Sequence, residues 1–98
     1  MNITITREGT QVTAAIEGRL DTVTSPQAEA ELRPAVEGAT KLILNLSGTE
    51  YISSAGLRVI LSLQKTMNVQ GSMVLRDVPE DILDILDVTG LTDLLTIE

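Results

Sequence analysis

Two adjacent serines, Ser53 and Ser54, stand in the stretch "YISSAGL" between two apolar runs. A serine hydroxyl becomes a nucleophile only with a general base in hydrogen-bond reach. The chain has no His and no Cys, which removes Ser-His-Asp and Cys-His catalysis and the commonest zinc ligand. Lys65 lies eleven residues further along the same helical pattern, about 16 Å away at 1.5 Å per residue. Lys41 belongs to the opposite end of the preceding strand. Neither is placed to activate Ser54. A second cluster, Asp77, Glu80, Asp81, Asp84 and Asp87, could supply an acid and a base only if burial separated their pKa values. These acids alternate with Ile82, Leu83, Ile85 and Leu86, as on the solvated face of an amphipathic helix. The glycines occur singly, so no phosphate-cradling loop is present. The reading is a non-enzymatic protein with no cofactor and no metal.

What remains is the helix entrance at Ser53-Ser54. A hydroxyl there faces unpaired backbone N–H groups and the positive end of the helix dipole. A Ser at that position serves as an N-cap, worth about 1 kcal/mol. The same N–H groups would also cradle a phosphate carried on the hydroxyl. Ala55 and Gly56 keep the entrance small enough for another protein's backbone to approach.

The elements that must position this entrance follow from periodicity. Residues 2–7 alternate with Ile3 and Ile5 on one face, residues 11–17 alternate with Val12, Ala14 and Ile16 on one face, and with Gly9 between them they predict a β-hairpin. Pro26, with Thr24 or Ser25 as N-cap, opens a helix over roughly 25–37, and Pro34 weakens its last turn. "KLILNL" at 41–46 is short, apolar and bounded by turn residues, as a strand buried on both faces is. "SGTEYI" is expected as a loop. A helix over about 54–69 follows, with Leu57, Ile60, Leu61 and Met67 facing inward and Gly71 as its stop. "SMVLR" is a strand, "VPEDILDILDVTG" a helix, and "LLTI" a last short strand. The order β-β-α-β-α-β-α-β predicts an α/β fold, a mixed β-sheet with helices packed on it.

Composition bounds the rest. Ninety-eight residues fit one domain, 1–98, with a core that must be aliphatic, because Tyr51 is the single aromatic residue. A formal charge of −7 with seven Lys and Arg gives no basic patch for nucleic acid or anionic lipid. No apolar run approaches the ~20 residues of a membrane span, and the polar N-terminus carries no signal pattern. A cytoplasmic location is expected.

Three segments resemble one family over nearly the whole chain. "EGRLDTVT" at 17–24 is similar to its G-x-L-D stretch, "LILNLSGTEYISSAGLRVIL" at 42–61 to its long strand-loop-helix signature, and "LDVTGLTDLLTI" at 86–97 to its closing G-L segment. The chain resembles STAS domains, the fold of bacterial anti-sigma factor antagonists. The resemblance implies Ser54 as a phosphoacceptor, with Ser53 standing where the family has Asp. It implies partner contacts through Asp21, Ser53, Ser54, Ala55, Gly56 and Leu57. The implied partners are an anti-sigma factor that is also a serine kinase, and a phosphatase that resets the switch. A non-switching adaptor subunit of a larger complex is the alternative. Where the sequence stops, many relatives carry a further helix, so that flank is expected to be more exposed or to serve weak self-association of a largely monomeric chain.

Overall fold

The computed structural model describes all 98 residues. β1 (Asn2–Glu8) and β2 (Gln11–Leu20) form the antiparallel hairpin, joined through Gly9 and Thr10. Gly9 takes φ +61°, which a residue without Cβ adopts at no steric cost. α1 (Ser25–Ala35) then crosses to β3 (Lys41–Asn45), which lies parallel to the first half of β2. α2 (Ser54–Gln70) crosses to β5 (Ser72–Arg76), parallel to β3 on its other side. α3 (Glu80–Val88) and a single 3-10 turn, Leu91–Asp93, complete the chain. The sheet order is β1-β2-β3-β5, the mixed sheet that the alternation of strands and helices predicts.

Two elements differ from expectation. The segment expected as a loop contains a strand, β4 (Thr49–Ile52), parallel to the far end of β2. β2 is long enough to be used twice: Gln11–Ala15 pairs with β3 and Gly18–Leu20 with β4. The transfer is made at Gly48, whose carbonyl accepts from Gly18 N at 2.9 Å, and at Thr49, whose buried hydroxyl donates to the Ile16 carbonyl at 2.7 Å. The burial pattern of β4 is two buried ends around two exposed residues, so it carries no period-2 signal. The expected last strand, 94–97, reduces to one parallel bridge between Ile97 and Leu75.

The helices start and stop for local reasons. Pro34 sits in the last turn of α1, where its missing N–H costs one hydrogen bond, and the helix ends one residue later. Beyond it, the Val36 and Ala39 carbonyls both accept from Gln70 Nε2 of α2, at 3.0 and 2.8 Å. The Arg33 guanidinium donates to Ser62 and Thr66, which ties α1 to α2. Gly71 ends α2, and its reason is space rather than dihedral freedom. A Cβ there would lie 1.9 Å from the Thr40 carbonyl oxygen.

The core is one cluster of 23 buried aliphatic residues between the sheet and the helices. α2 contributes Leu57, Val59, Ile60, Leu63 and Met67, and Leu61 is only partly buried against it. α3 contributes Ile82 and Leu86, while all five acids of that region are exposed. Because the Gly71 contact is backbone against backbone, no rotamer change can relieve it. Gly71→Ala is expected to cost about 3 kcal/mol or more, in the range of severe overpacking. The urea midpoint measures it, and a loss below about 1 kcal/mol would show that the α2–β5 junction yields.

Candidate functional site

The site is built where β2 ends. The Leu20 carbonyl accepts from Ser53 N at 2.9 Å, which anchors the start of α2 to the last residue of β2. Gly56 lies directly against that anchor. A Cβ at Gly56 would stand 2.6 Å from the Leu20 carbonyl oxygen and 2.9 Å from both Leu20 Cγ and Ile52 Cγ2. Gly56 is therefore required by packing inside the chain, a stricter reason than the low outer surface expected from the sequence.

The two serines divide the work. Ser53 is the N-cap of α2, in extended conformation, and its Oγ accepts from Gly56 N at 3.4 Å, a long and weak cap. The first regular helical bond runs from Leu57 N to the Ser53 carbonyl at 2.9 Å. Ser54 is the first residue of the helix and is exposed. Its hydroxyl is thus not needed to cap, and it stands beside the helix N–H groups that have no intrahelical partner. Ala55 is half-buried, and Gly56 and Leu57 are buried. Of the positions expected to meet a partner, the last two face this chain's own interior.

Asp21 follows Leu20 and so sits at the same corner. It organises the turn into α1. Its Oδ1 accepts from Val23 N at 3.0 Å and Thr24 N at 3.1 Å. The Thr24 hydroxyl accepts from Asp21 N at 2.9 Å and donates to the Arg19 carbonyl at 2.8 Å. Thr24 occupies the N-cap position of α1 without capping it, because its hydroxyl is used in this turn. The Thr24 backbone N–H, followed by the Val23 N–H, the Thr24 hydroxyl and the Arg19 charge, outweighs partial desolvation and holds the Asp21 carboxyl below the usual carboxylate range.

Sequence reasoning missed three residues around this corner. Arg19 and Tyr51 are register partners in β2 and β4, and the Arg19 guanidinium lies 4.5 Å from the centre of the Tyr51 ring. Arg19 also approaches Asp21 at 3.6 Å, a solvent-screened pair of an exposed guanidinium and a half-buried carboxylate that is worth little in stability. Their pairing depends on β4, which periodicity does not reveal. Arg58, one turn into α2, lines an open groove of about 400 Å³ between the starts of α1 and α2, with Thr22, Ser25, Pro26, Glu29, Ala55 and Val59. The spacing of four from Ser54 to Arg58 was the available signal. Ser25 is 3% exposed and its Oγ has no hydrogen-bond partner.

A lowered carboxyl contributes stability that is complete above its unfolded value, about 4, and is lost as the pH falls through its folded value. Asp21→Asn keeps an oxygen acceptor but removes the charge. The gap in urea midpoint between the wild type and Asp21→Asn is therefore expected to be widest at pH 6 to 7 and to narrow below about pH 4. A gap that stays constant over that range would remove Asp21 ionisation from the turn.

Comparison with known proteins agrees with this architecture. The STAS domain family model matches residues 2–98. BtrV of Bordetella bronchiseptica, named as a candidate anti-sigma factor antagonist, is 33% identical, over 92% of this chain and 79% of that protein. The anti-sigma-B factor antagonist of Bacillus subtilis is 28% identical, over 99% of this chain and 90% of that protein. Among solved structures, the anti-sigma factor antagonist SpoIIAA in its unphosphorylated form superposes with a TM-score of 0.82 at 18% identity, over 99% of this chain and 88% of that one. The phosphorylated form of SpoIIAA from Bacillus superposes with a TM-score of 0.76, over 99% and 91%. With its mixed sheet, its three helices and a family match over nearly every residue, the chain belongs to the STAS domain family.

Proposed function

We propose that this chain is an anti-sigma factor antagonist whose binding is switched off by phosphorylation of Ser54. The observation that carries the reading is the division of labour at α2: Ser53 takes the cap, which leaves Ser54 exposed at the first helical position. The unmodified protein binds an anti-sigma factor that is also a serine kinase, and the sigma factor is released. Asp21, Ser53, Ser54 and Ala55 offer the contact surface, while buried Gly56 and Leu57 set the height of the helix entrance. The 98 residues act as one unit, monomeric or weakly dimeric, in the cytoplasm.

The switching step balances simply. Ser54 Oγ attacks the γ-phosphorus of ATP held by the partner. The Oγ–P bond forms, the bond to the bridging oxygen breaks, ADP leaves, and the hydroxyl proton passes to a base on the kinase. A phosphatase hydrolyses the ester and resets the protein. The phosphate brings about −1.5 to −2 charge to the middle of a small contact surface. The helix dipole stabilises it on this chain, so release comes from repulsion and desolvation at the partner rather than from refolding. That SpoIIAA has been solved with and without phosphate supports the reading.

A non-switching adaptor is the second reading, favoured by the neutral Ser53 where the family has Asp. Co-purification with a transport or signalling assembly, and no kinase partner, would favour it. Incubation with the cognate kinase and ATP is expected to place one phosphate on Ser54 by mass spectrometry, and phosphate elsewhere or none would sink the switch. In a titration with the unphosphorylating kinase mutant, Ser54→Asp is expected to bind at least tenfold more weakly than wild type, about 1.4 kcal/mol. Ser54→Ala is expected to stay within about threefold of wild type. Equal affinities for the two variants would remove Ser54 from the interface.

A further inference from the structure

The chain carries seven cationic side chains, and most are committed. Arg7 donates to the carbonyls of Gly9 and Glu37 at 2.9 and 3.0 Å. Arg19 lies over Tyr51 and beside Asp21. Arg33 is held between α1 and α2 and pairs with Glu29 at 3.4 Å. Arg76 pairs with Glu98 at 2.9 Å. Lys41 begins β3 and Lys65 lies eleven residues beyond Ser54. Arg58 is exposed and takes part in none of the salt bridges. The carboxylate that shares its groove, Glu29, is already used by Arg33.

We propose that Arg58 is the intramolecular counter-ion of a phosphate on Ser54. The proposal rests on the reading of Ser54 as the phosphoacceptor. Residues four apart on a helix lie on one face, and long helical side chains lean toward the helix N-terminus, so Arg58 leans toward Ser54. A guanidinium presents paired donors that match phosphate oxygens bidentately. The phosphate would thus be held from two sides, by the free N–H groups at the start of α2 and by Arg58. Modification then changes two side chains on the outer face rather than one, because a guanidinium that pointed into solvent becomes engaged.

Genetic encoding of phosphoserine at position 54 of the full chain tests this without any kinase. The second ionisation of the phosphate is followed by ³¹P NMR in the wild-type background, in Arg58→Gln and in Arg58→Lys. The helix N-terminus lowers this pKa equally in all three. In the wild type it is expected to lie a further 0.3 unit or more below its value in Arg58→Gln, with Arg58→Lys between them. Identical values in the wild type and Arg58→Gln would overturn the proposal. Failure of a kinase to modify Ser54 would count against the proposed function alone, since the encoded phosphate reports on Arg58 either way.

Discussion

The contact between the Leu20 carbonyl and the first turn of α2 sets the geometry of everything at this corner. That oxygen accepts from Ser53 N at 2.9 Å and lies where a Cβ of Gly56 would come within 2.6 Å. The two facts are one constraint. The helix can approach the strand end closely enough to form the hydrogen bond only because residue 56 has no side chain. The approach puts Ser53 in the extended conformation of an N-cap and turns Ser54 outward. From the other side it places Asp21, the residue after Leu20, at the start of a turn that its own carboxylate and Thr24 close. Ser54 and Asp21 thus share a corner because both hang from the same backbone carbonyl.

Much of this was legible in the sequence, for physical reasons that differ by element. The hairpin, β3, β5 and all three helices carry strong periodicity or sharp punctuation, and their bounds fall within a few residues of expectation. The position of Ser54 at a helix entrance was legible because an apolar strand, a polar step and an apolar helix leave few other arrangements. β4 was hidden because its partner residues, Gly18–Leu20, lie beyond the alternation over 11–17 from which the second strand is read. Its residues Glu50 and Tyr51 both face solvent. The closing strand was over-read: "LLTI" has strand composition, yet the 3-10 turn before it leaves room for one bridge only. The split between the serines was not legible either, because both are good N-cap residues and only the Leu20 anchor decides which one caps.

Gly56 illustrates how one residue can be read from either side. From sequence, a glycine near a helix start suggests a surface kept low for a partner. In the fold it is buried, and a Cβ would come within 3 Å of Leu20 and Ile52, two core residues. Both readings predict that a side chain would be harmful, but they differ on where the harm falls. The internal clash would displace the whole first turn of α2, and Ser54 would move with it.

On the proposed reading of Ser54, the electrostatics of the corner would let a phosphate act as a switch rather than as damage. An acidic chain at −7 gains still more negative charge on modification, which in most places would only add self-repulsion. At the first position of a 17-residue helix the added charge meets the positive end of the dipole and free N–H donors. The cap on Ser53 would not have to be broken by a group attached to Ser54. A phosphate on Ser54 would therefore cost the fold little, whereas a partner docked against the corner would have to desolvate a dianion. The same separation of cap from first helical residue that leaves Ser54 free would confine the effect of a phosphate placed on it to the surface.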